Sequence, residues 1–172
     1  MKIVLLGYMA SGKSIIAKEL AKKTNLKWID LDFYIEEKEN LKIQDIFKIH
    51  GEIRFRTLEN KYLKELLTSK SDFILSLGGG TPCYANNLQI IQQYSKSIFL
   101  KASIDTLFDR LINDKDSRPL ISNIAESILK EFIAKHLFER NQYYNMADII
   151  YTVDNKNVNE IVNDIIKLNN LI

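Results

Sequence analysis

The most informative segment of this chain is Gly7-Tyr8-Met9-Ala10-Ser11-Gly12-Lys13-Ser14. It has the pattern G-x-x-x-x-G-K-S, which is typical of a P-loop that binds phosphates. An uncharged apolar run at residues 3–6 precedes it and predicts a strand buried on both faces. Residues 15–23 follow with apolar positions on one side and lysines on the other, which predicts a helix. A strand before the motif and a helix after it are the context that a true P-loop requires.

The residue types within the segment suit nucleotide binding. Gly7 and Gly12 let the backbone curl so that successive N–H groups face an anion, and the helix N-terminus adds the positive end of its dipole. Lys13 is placed to reach the outer phosphates, and the Ser14 hydroxyl is placed to bind magnesium.

The rest of the chain alternates short apolar runs with longer amphipathic stretches. Strands are predicted at residues 3–6, 27–32, 73–77, 97–101 and 149–153. Helices are predicted at residues 15–23, 32–39, 43–49, 52–68, 86–93, 126–146 and 158–171, with a further helix capped by Ser103. This alternation predicts parallel βαβ units, and therefore a three-layer α/β/α fold with a five-stranded parallel sheet.

Length and composition predict an ordinary soluble globular protein. A chain of 172 residues suits a single domain, residues 1–172, and its 46% apolar residues suit a proper core. A net charge of +2 argues against a nucleic-acid partner, and no apolar run is long enough for a membrane span. One cysteine, Cys83, and no signal peptide favour the cytoplasm, and the composition suggests a monomer.

Ligands of such a sheet bind beyond the carboxyl ends of its strands, where the remaining candidate residues fall. Asp30 and Asp32 follow the second strand, and Gly78-Gly79-Gly80 follows the third. We interpret Asp30 as approaching the magnesium ion and Asp32 as accepting the proton of an acceptor hydroxyl. The alternative for Asp32 is a simple helix N-cap. Three consecutive glycines suggest close approach of the backbone to a ligand.

Three arginines are candidates for binding anions. Arg56 lies three residues before Glu59 on one helix face, so this pair is either a solvated salt bridge or a guanidinium held ready for a carboxylate. Arg118 lies in an unpatterned loop at about residues 113–123, where it is either solvated or part of a lid that closes over the phosphates. Arg140 is a second anion ligand or a helix C-cap.

These motifs together resemble the shikimate kinase family along essentially the whole chain. The family signature I-F-x-x-x-G-E-x-x-F-R-x-x-E is matched by Ile46-Phe47, Gly51-Glu52, Phe55-Arg56 and Glu59. The P-loop with Met9, the D-x-D at Asp30 and Asp32, the triple glycine and Arg118-Pro119-Leu120 also match. Arg140, followed by a tyrosine and Ala147-Asp148, resembles the last substrate arginine of the family, with Tyr143 and Tyr144 both candidates for that tyrosine.

The resemblance implies a P-loop kinase fold and ATP-dependent phosphorylation of the 3-hydroxyl of shikimate, in the route to chorismate and aromatic amino acids. Asp32, Lys13 and Arg118 would be catalytic, and Ser14 and Asp30 would hold Mg²⁺. A helical region at about residues 33–60 would bind the substrate. The substrate residues would be Asp32, Arg56, Gly78, Gly79, Gly80 and Arg140. The ATP-binding residues would be Gly7, Ala10, Ser11, Gly12, Lys13, Ser14, Ile15, Arg110 and Arg118, with Arg110 packing on adenine.

The sequence leaves two alternative functions. Another small-molecule or nucleotide kinase of the same fold is the first, although the signature around Arg56 and the triple glycine argue against it. A nucleotide-driven switch such as a GTPase is the second. It would need an N-K-x-D motif, and neither Asn155-Lys156 nor Asn60-Lys61 has an aspartate in the required place.

Overall fold

The computed structural model describes residues 1–113, 121 and 124–169. Within these residues, five strands form one parallel sheet: β1 Lys2–Leu6, β2 Lys27–Asp30, β3 Phe73–Ser76, β4 Lys96–Lys101 and β5 Ile149–Thr152. Their order across the sheet is β2-β3-β1-β4-β5. All four neighbouring pairs are parallel, as the alternation of strands and helices predicts.

Helices connect the strands on both faces of the sheet. Their bounds are α1 Lys13–Thr24, α2 Leu31–Glu39, α3 Ile43–Thr68, α4 Asn87–Tyr94, α5 Ile104–Ile112, α6 Glu126–Tyr144 and α7 Val158–Asn169. A short 3-10 turn, Thr81–Cys83, follows the triple glycine. None of the described helices is long and apolar enough to cross a membrane.

The core consists of two apolar clusters, one on each face of the sheet. Alternate residues of β1 supply both, because successive side chains of a strand point to opposite faces. Ile3 and Leu5 pack with apolar residues of α1 and α7. Val4 and Leu6 pack with apolar residues from the other face, among them those of α3, α5 and α6. The predicted three-layer α/β/α arrangement is therefore confirmed.

Most predicted element bounds lie within two residues of the observed ones, and three local features bear on the site. Strand β2 ends at Asp30 and α2 begins at once with Leu31, so Asp32 lies in the first turn of a helix. Gly51 interrupts α3 with a φ of 77° and a ψ of 175°, which confirms the predicted break. The 3-10 turn was not predicted from the sequence.

Other predictions concern residues that the structure does not describe. The predicted lid at about residues 113–123 lies outside the described residues except at Asn113 and Ile121, and Arg118 lies outside them as well. Residues 170–171 of the predicted last helix also lie outside. The assignment of one domain with a substrate-binding region at residues 33–60 stays a prediction.

Candidate active site

The P-loop joins β1 to α1 and has the backbone geometry that its glycines permit. Gly7 has a φ of 146° and Gly12 a φ of 98°, both in the region that favours glycine. A Cβ on Gly7 would also lie 2.8 Å from the Ser11 Oγ and 2.9 Å from the Leu100 carbonyl oxygen. Conformation and space therefore both exclude a side chain at Gly7.

Lys13 begins α1 and lies in the mouth of this loop. Its side chain is buried, at 9% exposure. Its Nζ donates hydrogen bonds of 2.8 Å to the carbonyl oxygens of Gly7 and Tyr8. The ammonium group is thus held over the loop, where phosphates would bind.

Asp30 uses its two carboxylate oxygens for different purposes. Its Oδ1 accepts hydrogen bonds from the backbone N–H groups of Asp32, at 3.1 Å, and Phe33, at 3.3 Å, and so caps α2. Its Oδ2 accepts from the hydroxyl of Ser76, at 2.9 Å, and of Ser14, at 3.3 Å. The alternative that Asp32 is the N-cap is therefore wrong, because the cap is Asp30. The Ser14 hydroxyl and the Asp30 carboxylate are hard oxygen donors of the kind that Mg²⁺ prefers.

Asp32 is a half-buried residue with one buried carboxylate oxygen. Within the described part of the chain its Oδ1 is buried and has no hydrogen-bond partner. Burial, together with the negative charges of Asp30 and Glu59, raises the pKa of Asp32 to about 7, although Lys13 and Arg56 act in the opposite direction. A carboxyl group with its pKa near neutrality is suited to accept a proton.

Arg56 is held by acidic side chains of its own helix. Its Nη1 donates to the Glu59 Oε2 at 2.6 Å, and Glu59 is only 1% exposed. The Thr81 hydroxyl donates to the other Glu59 oxygen at 2.6 Å. The alternative of a solvated salt bridge is therefore wrong for this pair, since Glu59 is buried and hydrogen-bonded through both of its oxygens.

The triple glycine at the end of β3 brings the candidate substrate residues together. A Cβ on Gly78 would lie 3.3 Å from the Asp32 Oδ1, and one on Gly79 would lie 3.4 Å from the Arg140 Nη1. A Cβ on Gly80 would lie 3.0 Å from both terminal nitrogens of Arg56. Each glycine thus gives space to a different charged side chain, and one carboxylate and two guanidinium groups converge on this loop.

Helix α6 places Arg140 against the two loops. Four residues after Arg140, the buried Tyr144 donates its hydroxyl hydrogen to the Gly79 carbonyl oxygen. Four residues before it, His136 lies 3.0 Å from the Tyr8 hydroxyl, measured at its Nδ1. The helix continues to Tyr144 and its C-cap is Asn145, so the alternative that Arg140 is the C-cap is wrong.

Comparison with known proteins shows the relationship of this chain to others. The family model described as shikimate kinase matches residues 9–169. The chain belongs to the shikimate kinase family. A shikimate kinase of Flavobacterium johnsoniae is 54% identical over 168 residues, which are 97% of this chain and 98% of that protein. The resemblance predicted from the motifs is therefore confirmed, and the protein is a kinase.

Solved structures of shikimate kinases have the same fold. One from Bacteroides thetaiotaomicron has a TM-score of 0.92 at 33% identity and covers 99% of this chain and 98% of its own. Another, from Acinetobacter baumannii in complex with shikimate, has a TM-score of 0.87 at 27% identity and covers 97% of this chain and 91% of its own. These similarities confirm the predicted P-loop kinase fold, which this chain shares with the solved shikimate kinases.

A cavity of about 400 Å³ lies beyond the carboxyl ends of β1, β2 and β3, and its charged lining residues are Lys13, Asp30, Asp32 and Arg110. Residues that line it are Met9, Ala10, Gly12, Lys13, Ser14, Ile15, Asp30, Asp32, Leu77, Gly78, Gly79 and Arg110. Arg110 extends from α5 and donates to the Ala10 carbonyl oxygen at 3.0 Å. Ser11 is buried within the loop. The packing of Arg110 on adenine stays a prediction.

Several residues at the site were not predicted to act there. Thr81 contacts Glu59, and Tyr84 contacts Glu52 and Arg56. A threonine or tyrosine shortly after a run of glycines is common, so the sequence does not indicate that these two residues belong to the site. Cys83 is half-buried, and desolvation raises the pKa of its thiol. This pKa does not favour a nucleophilic thiolate.

Proposed function

We propose that this protein transfers the γ-phosphoryl group of ATP to the 3-hydroxyl of shikimate. The observation that carries the proposal is the convergence of Asp32, Arg56 and Arg140 on the triple glycine, beside the P-loop cavity. Two guanidinium groups and one half-buried carboxylate are complementary to a small polyhydroxy carboxylate. Family membership supports the proposal, as does the related structure that contains shikimate.

The nucleotide phosphates would bind at the P-loop. Backbone N–H groups between Gly7 and Gly12 would face the phosphate oxygens, and Lys13 would exchange its bonds to the loop carbonyls for contacts with the outer phosphates. The Ser14 hydroxyl and the Asp30 Oδ2 lie 3.3 Å apart and would together hold a magnesium ion. When bound, magnesium neutralises charge on the β- and γ-phosphate oxygens.

The acceptor would bind with its carboxylate between Arg56 and Arg140 and its 3-hydroxyl toward Asp32. The hydroxyl oxygen forms a bond to the γ-phosphorus while the bond from phosphorus to the bridging oxygen breaks. Asp32 accepts the hydroxyl proton, and ADP leaves with the electron pair of the broken bond. Arg118, brought by the lid, would complete the stabilisation of the transferred group. In this proposal the enzyme is a cytoplasmic monomer that needs Mg²⁺.

The test is ADP release by the purified protein with ATP and magnesium, with and without shikimate. We expect release to depend on shikimate and on magnesium, and the product to carry phosphate on the 3-hydroxyl. Binding of ATP with no response to shikimate would contradict the substrate assignment while leaving nucleotide binding intact. Other hydroxylated carboxylates and nucleoside monophosphates would then be assayed in the same way.

A further inference from the structure

The guanidinium group of Arg56, which we propose to bind the substrate carboxylate, already forms hydrogen bonds with two acidic side chains of the protein. Its Nε and Nη2 both donate to the Glu52 Oε1 at 3.2 Å, and its Nη1 donates to the Glu59 Oε2 at 2.6 Å. The Arg56 side chain is 19% exposed, and that of Glu52 is 54% exposed. Arg56 is therefore tied to a buried acid on one side and to a solvent-exposed acid on the other.

These bonds leave a defined part of the guanidinium for a ligand. Arginine has five N–H donors. Three of them bind Glu52 and Glu59, and the other two are one N–H on Nη1 and one on Nη2. A carboxylate that accepts from both terminal nitrogens forms the bidentate pair that arginine favours.

Tyr84 completes the surroundings of this group. The Arg56 Cζ lies 4.0 Å from the centre of the Tyr84 ring, within the range of a favourable cation–π contact. The Tyr84 hydroxyl donates to the same Glu52 oxygen, Oε1, that accepts from Arg56, at 3.0 Å. The ring and the hydroxyl thus act on the guanidinium by different routes, one directly and one through Glu52.

We propose that Tyr84, together with Glu52, positions Arg56 as the carboxylate receptor and so sets the affinity of the site for its acceptor. This inference rests on the proposed function, because it takes shikimate as the acceptor. A long arginine side chain loses rotamer freedom when it is fixed, and the Tyr84 ring with the Glu52 carboxylate confines it before the substrate arrives. Tyr84 is a positioning residue, and it acts on the substrate through Arg56.

The experiment compares Tyr84→Leu, Tyr84→Phe and Glu52→Ala with the wild type in steady-state kinetics. Tyr84→Leu removes both the ring and the hydroxyl, and we expect it to raise the KM for shikimate about fivefold to tenfold. Tyr84→Phe keeps the ring, so about a twofold rise is expected. Glu52→Ala should fall between them. The kcat and the KM for ATP should stay within about twofold of the wild type.

Tyr94 provides the matched control. It is 41% exposed, against 39% for Tyr84, and it lies at the end of α4. Tyr94→Leu should leave the KM for shikimate unchanged. In an Arg56→Ala background, Tyr84→Leu should cause no further loss in kcat/KM for shikimate, because the group that it positions is gone.

The possible results distinguish a failure of the positioning role of Tyr84 from a failure of the proposed function. An unchanged KM for shikimate in an active Tyr84→Leu variant would overturn the positioning role and leave the proposed function standing. A full additional loss in the Arg56→Ala background would also overturn it, since Tyr84 would then act independently of Arg56. A wild-type protein that does not respond to shikimate would overturn the proposed function and this inference together.

Discussion

Asp32 is the residue whose environment differs most from what its sequence position suggests. An aspartate at the start of a helix is ordinarily a cap, and its pKa is ordinarily near 4. Here Asp30 makes the cap, while burial and two neighbouring carboxylates raise the pKa of Asp32 to about 7. Among the described residues the Oδ1 of Asp32 has no hydrogen-bond partner, and it lies beside Gly78.

We expect Asp32→Asn to lower kcat about 100-fold to 10,000-fold, because an amide cannot accept the hydroxyl proton. The folded structure should persist, since Asp32 makes no capping bond with its side chain and removal of a buried charge does not cost stability. Single-turnover kinetics and thermal unfolding of the same preparation would measure both. An exposed carboxylate, Asp109, gives the control Asp109→Asn, which should keep full kcat. A nearly normal kcat for Asp32→Asn would remove Asp32 as the base.

The triple glycine could be recognised from the sequence, but its purpose could not. Three glycines among the six of the chain suggested close approach to a ligand. In the structure they give space to protein side chains as well, with Asp32, Arg140 and Arg56 each beside a different glycine. These three side chains come from three separate helices, so no pattern within the glycine segment names them.

At the scale of secondary structure, the junction of β2 and α2 combines a helix cap with a candidate metal ligand. The strand ends at Asp30 because the next residue already begins a helix, and the Asp30 Oδ1 satisfies two backbone N–H groups of its first turn. The Oδ2 is thereby directed toward Ser14 and Ser76. Local helix chemistry therefore orients the oxygen that we assign to magnesium.

Two substitutions of Asp30 separate its role as a helix cap from its proposed role as a magnesium ligand. Asp30→Ser keeps a good N-cap but removes the carboxylate, whereas Asp30→Ala removes both. We expect Asp30→Ala to lower the free energy of unfolding by about 1 kcal/mol, and Asp30→Ser to change it by a few tenths. Both variants should raise the magnesium concentration needed for half-maximal activity about tenfold or more. Chemical denaturation and a magnesium titration of ADP release would measure these effects.

Comparison of the two variants would also reveal whether the assignment of Asp30 as a magnesium ligand is wrong. A magnesium requirement that is normal in Asp30→Ser but raised in Asp30→Ala would show that Asp30 acts through the helix cap. Equal loss of stability in the two variants would instead show that the carboxylate stabilises the folded state by a route other than capping.

The geometry of helix α6 explains why both Tyr143 and Tyr144 are candidates, from the sequence, for the family tyrosine that follows Arg140. Tyr143 and Tyr144 are adjacent, and adjacent residues of an α-helix point about 100° apart. Tyr144 is four residues after Arg140 and lies on the same face, where it is buried and bonds the Gly79 carbonyl oxygen. Tyr143 lies on a neighbouring face and is half-buried. The face of α6 that points inward is decided by its packing against the glycine loop, and the sequence around the two tyrosines does not specify that packing.

At the scale of the whole molecule, the edge strand β5 is joined to β4 by a reciprocal polar contact. The Asp148 Oδ2 accepts hydrogen bonds of 2.7 Å from both the backbone N–H and the hydroxyl of Ser97, and the Ser97 Oγ accepts from the Asp148 N–H at 3.0 Å. Desolvation raises the pKa of Asp148, but the Ser97 hydrogen bonds and the Lys96 charge outweigh it, so the pKa is lowered.

This lowered pKa predicts a pH-dependent contribution to stability. A carboxylate whose pKa is depressed by folding stabilises the folded state above its unfolded value near 4, and that stabilisation is lost as the pH falls through the folded pKa. We expect Asp148→Asn to lower the free energy of unfolding at pH 7 by about 1 kcal/mol, a value reduced for the exposure of the group.

Urea denaturation at several pH values would test this. The difference between wild type and Asp148→Asn should shrink below pH 4, because protonation removes the same charge that the substitution removes. The exposed Asp109→Asn serves again as control and should show no such convergence. A difference that is constant from pH 7 to pH 3 would mean that the charge of Asp148 plays no part.

The amino-acid sequence alone determined the order of strands and helices, the three layers, the P-loop and the family. It could do so because these depend on local periodicity and on motifs whose residues are contiguous or closely spaced. Gly7 and Lys13 belong to one loop, and Arg56 and Glu59 to one helix turn.

The tertiary structure decided which side chains meet. It assigned the cap to Asp30 and left the buried Asp32 Oδ1 without a hydrogen bond among the described residues. It placed Tyr84 against Arg56, although the two residues are far apart in the sequence. It also chose Tyr144 over Tyr143 for the contact with Gly79. These outcomes depend on how the ends of β1, β2 and β3 align in the sheet and on how α3 and α6 pack beside them. Such contacts join segments distant in the chain, and no local pattern encodes them.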